Sequence, residues 1–171
     1  MAVICGIPAP VTMRVVQIAR TACEREIRMV TTLLDLSRLR AGSPLRLTNG
    51  VSLESVVQRS VNDESAEATS RGVEVQLIFD AEGARCRLDP VLMECAVANL
   101  VRNAVAVSKR GQLVTIACER AAGPGGAPGF RVTVEDQGPG VPPAIRATVF
   151  DAFVTHEVPT SGKAIGVGIG L

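Results

Sequence analysis

The 171-residue sequence contains no Trp, no Tyr and a single His. Aromatic residues make up only 2% of the chain, so it lacks the stacking side chains on which single-stranded nucleic acids bind. Its 18 basic and 17 acidic residues leave a net charge of +1, without the basic excess typical of nucleic-acid binders. We therefore expect no nucleic-acid partner. A lone histidine cannot build a histidine-based metal site, and His156 is expected to be a solvated loop residue.

Secretion and membrane signals are also missing. None of the five cysteines forms a C-x-x-C pair, and their odd number favours reduced thiols in the cytosol. No apolar run of the roughly 18 residues that a membrane span needs is evident. Residues 1–11 carry two prolines and no basic segment, which argues against a signal peptide. We expect a cytoplasmic chain with no membrane segment, which leaves open a longer, membrane-anchored parent protein.

The N-terminal region is dominated by one predicted helix over residues 11–41. Apolar residues recur there at spacings of three and four, and Gly42 and Pro44 end the pattern. So long and wide an apolar stripe favours a helical hairpin or dimer bundle over a helix that packs on its own domain. The sequence therefore predicts a partial dimerisation segment over 1–45 and a second domain over 46–171.

The second domain mixes helices and strands. Residues 45–51 are predicted as an extended linker, and the Gly- and Pro-rich stretch 121–129 as a loose hairpin loop without regular structure. Ser52 and Asp89 are the expected N-caps of two helices. Helices are predicted over 52–70, 89–108 and 142–149, and strands over 73–80, 85–88, 113–118 and 130–135. This order indicates helices covering one face of a mainly antiparallel sheet.

One short motif combines an acidic residue with two nearby glycines. In Asp136-Gln-Gly138-Pro-Gly140 a carboxylate follows an apolar strand and precedes two glycines. Glycine lets a flat ligand approach the backbone closely. Asp and Gly also make ordinary turns, so this motif is weak by itself.

Two further motifs flank it. Asn99 and Asn103 lie four residues apart on one predicted helix face. Their carboxamide oxygens suit Mg²⁺ already held by phosphates, although two Asn on a solvated face is the alternative. The backbone N–H groups of Gly166-Val-Gly168-Ile-Gly170 could cradle phosphates, or the run could be a flexible tail. No Walker A or Rossmann spacing is present.

Together these motifs resemble the ATP-binding domain of sensor histidine kinases, in the gyrase, Hsp90, histidine kinase and MutL superfamily. Residues 94–104 look like its N box, 136–142 like its G1 box, 150–153 like its F box and 166–171 like its G2 box. Residues 33–42 are similar to the end of the second helix of the dimerisation domain. The resemblance implies an α+β fold: a two-layer α/β sandwich, with helices on one face of a mixed, mainly antiparallel sheet, preceded by one long dimerisation-type helix.

The resemblance also implies residue roles. Asp136 would accept a hydrogen bond from the adenine amine, and Asn103 would ligate Mg²⁺ with Asn99 assisting at the phosphates. Residues 150–165 would form a lid, with Phe150 and Phe153 either as hinge packing or as simple core. The implied ATP-binding set is Asn99, Asn103, Asp136, Gly138, Gly140, Val141, Lys163, Gly166, Gly168, Gly170 and Leu171.

One detail separates this chain from ATPases of the superfamily, and three departures from the sensor-kinase pattern follow it. The superfamily's ATPases have a Glu as general base where this chain has Asn99, so the site favours phosphoryl transfer over hydrolysis. Ala106 stands where a basic residue is common, leaving Lys109, Arg110 or Lys163 as phosphate contacts. The sequence contains neither the family's phosphoacceptor-histidine helix nor the end of its fold, so enzyme activity is left open.

The expected function is that of an ATP-binding module of a histidine protein kinase in two-component signal transduction. It would bind Mg-ATP, work with a phosphoacceptor domain and a response regulator, and form a homodimer through helix 11–41. One alternative is a non-catalytic nucleotide-binding, dimerising regulatory fragment. Another is an anti-sigma-type serine kinase, which the long helix disfavours.

Overall fold

The structure, a computed structural model, describes residues 9–149. The chain divides into two compact units between Gly42 and Ser43. The first unit contains α1 (Ala9–Arg40), the long helix predicted from the apolar spacing. Arg38 and Arg40 lie in its last turn, where positive charge complements the helix dipole. The division into functional domains stays a prediction.

Many of the large apolar side chains of α1 are exposed to solvent. Eight of its large apolar side chains are between 46% and 71% exposed. They are Met13, Val15, Val16, Ile18, Ile27, Val30, Leu34 and Leu39. Exposed apolar residues aligned along one helix are typical of a surface that binds another helix.

Between Ser43 and residue 149, the described part of the second unit, there are two α-helices and five strands. Its elements are β1 (Thr48–Ser52), α2 (Leu53–Arg71), β2 (Glu74–Asp80), β3 (Arg85–Leu88), α3 (Pro90–Val107), β4 (Leu113–Ala122) and β5 (Pro128–Glu135). β1 pairs antiparallel with β3 in a two-stranded sheet. The second sheet has the order β2-β4-β5, parallel between β2 and β4 and antiparallel between β4 and β5. The predicted mixed α+β architecture is confirmed.

The helix ends lie where their capping residues predict. The Ser52 hydroxyl accepts a hydrogen bond from the Ser55 N–H at the start of α2. Gly72 ends that helix in the left-handed conformation, at φ 67°. Asp89 Oδ1 accepts from the Leu92 N–H, and Pro90 occupies the first turn of α3. These caps fix where α3, which carries both Asn residues, begins.

The core is aliphatic, as the scarcity of aromatics predicts. Its fully buried large side chains come from α2, α3 and β4, and they include Val56, Val57, Val101, Val105, Val114 and Ile116. Phe79 and Phe130 are only partly buried against this cluster. The two helices pack on each other and share one core with the β2-β4-β5 sheet.

Three local predictions were wrong. Residues 48–51 of the expected linker belong to β1, because Val51 pairs with Cys86 far along the chain. The loop predicted over 121–129 is shorter, since Ala121 pairs with Gly129 and Ala122 with Pro128. The helix predicted over 142–149 is only a 3₁₀ turn at Pro143–Ile145 followed by turns, and β-branched Thr148 and Val149 are poor helix formers.

The expectation about apolar runs also needs correction. α3 is 18 residues long and, at a mean hydropathy of 1.3, apolar enough to cross a membrane by length and composition alone. The core helix of a soluble protein can have the same length and composition. Here Val97, Val101, Ala104 and Val105 of α3 are buried in the core that the helix shares with its neighbours.

Candidate functional site

The loop after β5 lies against the end of α3. A Cβ atom added to Gly138 would lie 2.8 Å from Val107 Cγ2, so the loop backbone and the last residue of α3 are in close contact. Asn99 and Asn103 lie on that same helix and are partly buried. The fold therefore joins the Asn-bearing helix to the Asp136–Gly140 loop, two motifs that are far apart in sequence.

Asp136 shapes its own loop. Its Oδ1 accepts a hydrogen bond of 2.8 Å from the Gly138 N–H, the short-range bond of an Asx turn. The side chain is exposed, and within residues 9–149 its Oδ2 makes no hydrogen bond. One carboxylate oxygen thus holds the loop while the other is open to a donor from a ligand. This geometry suits an adenine amine, and that role stays a prediction.

Gln137, a residue to which the sequence motif assigned no role, anchors the loop to the sheet. Its Oε1 accepts from the Leu113 N–H at 3.0 Å, and its carbonyl oxygen accepts from Gln112 Nε2 at 2.8 Å. Both bonds connect the loop to the start of β4. They hold Asp136 beside the sheet edge without using its carboxylate.

The two glycines of the loop are required for different reasons. At Gly138 the limit is space, since a Cβ would meet both Val107 Cγ2 and Asp136 Oδ1 at 2.8 Å. At Gly140 the space is open, but φ is +70°, a conformation that residues with a side chain rarely adopt. Val141, next in the predicted set, is 39% exposed, and its carbonyl accepts from Arg146 Nε at 3.0 Å.

The carboxamide of Asn99 belongs to a network that sequence reasoning missed. Its Oδ1 accepts a 3.0 Å bond from Arg102 Nη1, and its Nδ2 lies 3.9 Å from Cys95 Sγ. Arg102 Nη2 in turn pairs with Glu64 Oε1 of α2 at 2.9 Å. The signal was present in the sequence: Glu64 falls at helical spacing on the buried stripe of α2, where an acid requires a cationic partner.

The structure describes only some of the other predicted site residues. Lys163, Gly166, Gly168, Gly170 and Leu171 lie outside the described residues, as do His156 and the lid predicted over 150–165. Arg110 is directed toward the end of α2, since a Cβ on Gly72 would lie 2.9 Å from its Cγ. Lys109 is exposed.

The described part of the chain holds no ready-made metal site. Within residues 9–149, no three His, Cys, Asp or Glu side chains are grouped so that they could hold a metal ion. The donors on α3 are neutral carboxamides, which suit Mg²⁺ whose other ligands are phosphate oxygens and waters. A divalent cation at this site is therefore expected to arrive with a nucleotide.

Comparison with known proteins shows which family the C-terminal half of the chain resembles. Residues 88–171 match the family "Histidine kinase-, DNA gyrase B-, and HSP90-like ATPase". The sensor-like histidine kinase SenX3 of Mycobacterium tuberculosis is 32% identical over 144 residues, which are 84% of this chain and 33% of that protein. Sensor protein QseC of Escherichia coli is 32% identical over 148 residues, 86% of this chain and 30% of QseC. The chain spans about a third of the length of these curated relatives.

Solved structures share the fold. Full-length ShkA in complex with AMPPNP matches 96% of this chain, and 33% of its own, with a TM-score of 0.67 and 26% identity. The Acinetobacter baumannii histidine kinase AdeS matches 96% of this chain, and 71% of its own, with a TM-score of 0.66 and 18% identity. The chain is therefore homologous to sensor histidine kinases, and its residues 88–171 belong to the histidine kinase-, DNA gyrase B- and HSP90-like ATPase family.

Proposed function

We propose that this chain is the ATP-binding module of a histidine protein kinase in two-component signal transduction. The observation that carries the proposal is the close contact of the Asp136–Gly140 loop with the end of α3. It joins a carboxylate oxygen open to a ligand and a helix that bears two carboxamides. Such an arrangement can hold the two ends of one nucleotide, the base at Asp136 and the Mg²⁺-phosphates at Asn99 and Asn103.

Each group has a distinct part in binding. Asp136 Oδ2 accepts the adenine amine, while Gly138 lets the loop that carries Asp136 lie close against the end of α3. Asn103 would ligate Mg²⁺, and a metal held there would supply positive charge to neutralise the phosphates and orient the γ-phosphoryl group. The predicted residues from Lys163 to Leu171 complete the phosphate contacts.

The residue at position 99 favours transfer over hydrolysis. A carboxamide cannot take a proton from water as a glutamate general base does. Asn99 also accepts a hydrogen bond from the Arg102 guanidinium, which lowers its oxygen's basicity further. The γ-phosphoryl group is therefore kept for a histidine of a phosphoacceptor domain.

Phosphotransfer in trans tests this function. The chain is mixed with γ-labelled ATP, Mg²⁺ and the phosphoacceptor domain of a related sensor kinase. We expect label on that domain that is labile in acid and stable in base, as a phosphoramidate is, and no label when the acceptor His is replaced by Gln. ATP binding without any transfer would favour the non-catalytic regulatory alternative. Acid-stable label would favour a serine kinase.

Dimerisation is proposed through α1. Its exposed apolar stripe needs a partner in water, and a second copy offers the same stripe by symmetry. Light scattering after gel filtration is expected to show a dimer that Val30→Asp with Leu34→Asp converts to a monomer. Gln17→Asp, a single added charge on the opposite side of the helix, is expected to leave the dimer intact. A dimer that survives the apolar substitutions would contradict this assignment.

A response-regulator partner and a cytoplasmic location are proposed as well. ThkA, which shares this fold, is seen in complex with the response regulator protein TrrA, and we propose an equivalent regulator partner here. The described cysteines, Cys23, Cys86, Cys95 and Cys118, are all free thiols, which supports a reducing cytoplasmic location.

A further inference from the structure

A partly buried ion pair joins α2 to α3 beside Asn99. The Glu64 side chain is only 6% exposed and that of Arg102 is 29% exposed. Arg102 Nε lies 3.2 and 3.3 Å from the two Glu64 oxygens, and Nη2 lies 2.9 Å from Oε1. A planar guanidinium held at two nitrogens has little freedom to rotate. Glu64 therefore fixes the position of the third nitrogen, Nη1.

That third nitrogen determines the orientation of the Asn99 carboxamide. Arg102 Nη1 lies 3.0 Å from Asn99 Oδ1. A guanidinium only donates hydrogen bonds, so the group that faces it must be the amide oxygen. A flipped amide would set an NH₂ group against another donor. The network thus determines which side of the Asn99 amide carries the oxygen and which carries the nitrogen, a choice that an isolated Asn side chain leaves open.

We propose that Glu64 and Arg102 are positioning residues. They hold the side-chain oxygen of Asn99 in a hydrogen bond to Arg102, so that Asn99 contacts a bound nucleotide through its side-chain N–H groups. This inference rests on the proposed function and assigns the phosphate end of that site more finely. Mg²⁺ on the same oxygen would lie beside the guanidinium, and the two positive charges would repel. Asn99 therefore donates to a phosphate oxygen, while Asn103 is the metal ligand.

The chain offers a matched control. Arg59 of α2 pairs with Glu94 of α3 across the same helix interface, with Nε 2.7 Å from Oε1. Neither residue has a hydrogen bond to Asn99 within residues 9–149. Replacing Arg59 by Met removes a second interhelical ion pair but leaves the Asn99 carboxamide oriented.

Calorimetry of the full chain with AMPPNP and Mg²⁺ tests the coupling. Arg102→Met is expected to weaken binding by about 10–100-fold, the usual effect of losing a group that orients a ligand. Arg102→Lys, which keeps one donor, should recover part of the loss, and Arg59→Met should bind like wild type. In the Asn99→Ala background Arg102→Met should have no further effect. Additive losses in that double variant would overturn the proposal.

A second measurement needs no nucleotide. In ¹H–¹⁵N spectra the Asn99 side-chain NH₂ pair should shift in Glu64→Gln and Arg102→Met, and stay in place in Arg59→Met. Unmoved Asn99 signals in folded Arg102→Met would overturn the positioning role even where AMPPNP binds. If wild type binds no AMPPNP, the proposed function fails, and with it the nucleotide role of Asn99. The spectra then still decide whether Arg102 orients the amide.

Discussion

Gly138 lies so close to Val107 that a Cβ at position 138 would come within 2.8 Å of the Val107 Cγ2 atom. The same Cβ would lie 2.8 Å from Asp136 Oδ1, the oxygen that accepts the Gly138 N–H. One missing side chain thus permits two contacts: the loop against α3, and the turn that presents Asp136. The adenine end of the site depends on the absence of a single methyl group.

Gly138→Ala is therefore expected to lower the free energy of unfolding by about 1–3 kcal/mol, the usual cost of overpacking. Urea denaturation measures this change. Nucleotide affinity should fall as well, because relief of the clash moves Asp136. Adding Val107→Ala should restore part of the stability.

Gly140→Ala is the comparison within the same loop. Space is open there, and only the positive φ opposes a side chain, at about 1–2 kcal/mol. Adding Val107→Ala to this variant should restore nothing. If Val107→Ala rescued both glycine variants equally, the contact between residue 138 and Val107 could not be the cause of the stability loss in Gly138→Ala.

A second prediction concerns Asp89, which serves two segments at once. Its Oδ1 caps α3 through the Leu92 N–H, and its Oδ2 accepts the Arg46 N–H at 3.0 Å. Asp89→Ala should cost about 2 kcal/mol, the upper end for an N-cap, and Ser52→Ala, which removes a cap bond and the bond from the Ser55 hydroxyl in the same turn, about 1 kcal/mol. Thermal or urea unfolding of the two variants measures both. Equal losses would show that the bond to Arg46 adds no stability.

Thiol reactivity provides a third prediction. Burial, with a smaller contribution from Cys86, raises the pKa of the Cys118 thiol to about 11. At pH 8 only about one Cys118 in a thousand is then a thiolate, the form that reacts. Iodoacetamide should modify exposed Cys23 rapidly and Cys118 only after urea unfolds the chain. Rapid modification of folded Cys118, detected by peptide mass spectrometry, would contradict its burial.

The same raised pKa predicts how stability depends on pH. The unfolded chain loses the Cys118 proton near pH 8.5, while the folded chain keeps it until about pH 11. The protonated Cys118 thiol therefore contributes fully to the free energy of unfolding below about pH 8.5. That free energy falls as the pH rises from about 8.5 toward 11. Cys118→Ala should flatten that part of the profile. An unchanged slope in this variant would assign the alkaline loss to other groups.

The sequence predicted the local features of the fold well and its long-range pairings poorly. Ser52, Gly72 and Asp89 marked helix ends because capping depends on residues within one turn. The pairing of Val51 with Cys86 was missed, since no local pattern records a partner 35 positions away. In the candidate site, motif spacing predicted Asp136 and Asn99, and their roles stay predictions. Their supports, Gln137 and Arg102, act through contacts that only the folded chain creates.

The central claim is that Asp136 recognises the adenine of a bound nucleotide, and calorimetry with AMPPNP and Mg²⁺ tests it most directly. The wild-type chain should bind one nucleotide per chain. Asp136→Asn should bind about 10–100-fold more weakly, as expected on losing a hydrogen bond to a charged acceptor. Asp80→Asn, an exposed acid at the end of β2, should bind like wild type. Undiminished binding by Asp136→Asn would contradict the assignment of this loop as the adenine site.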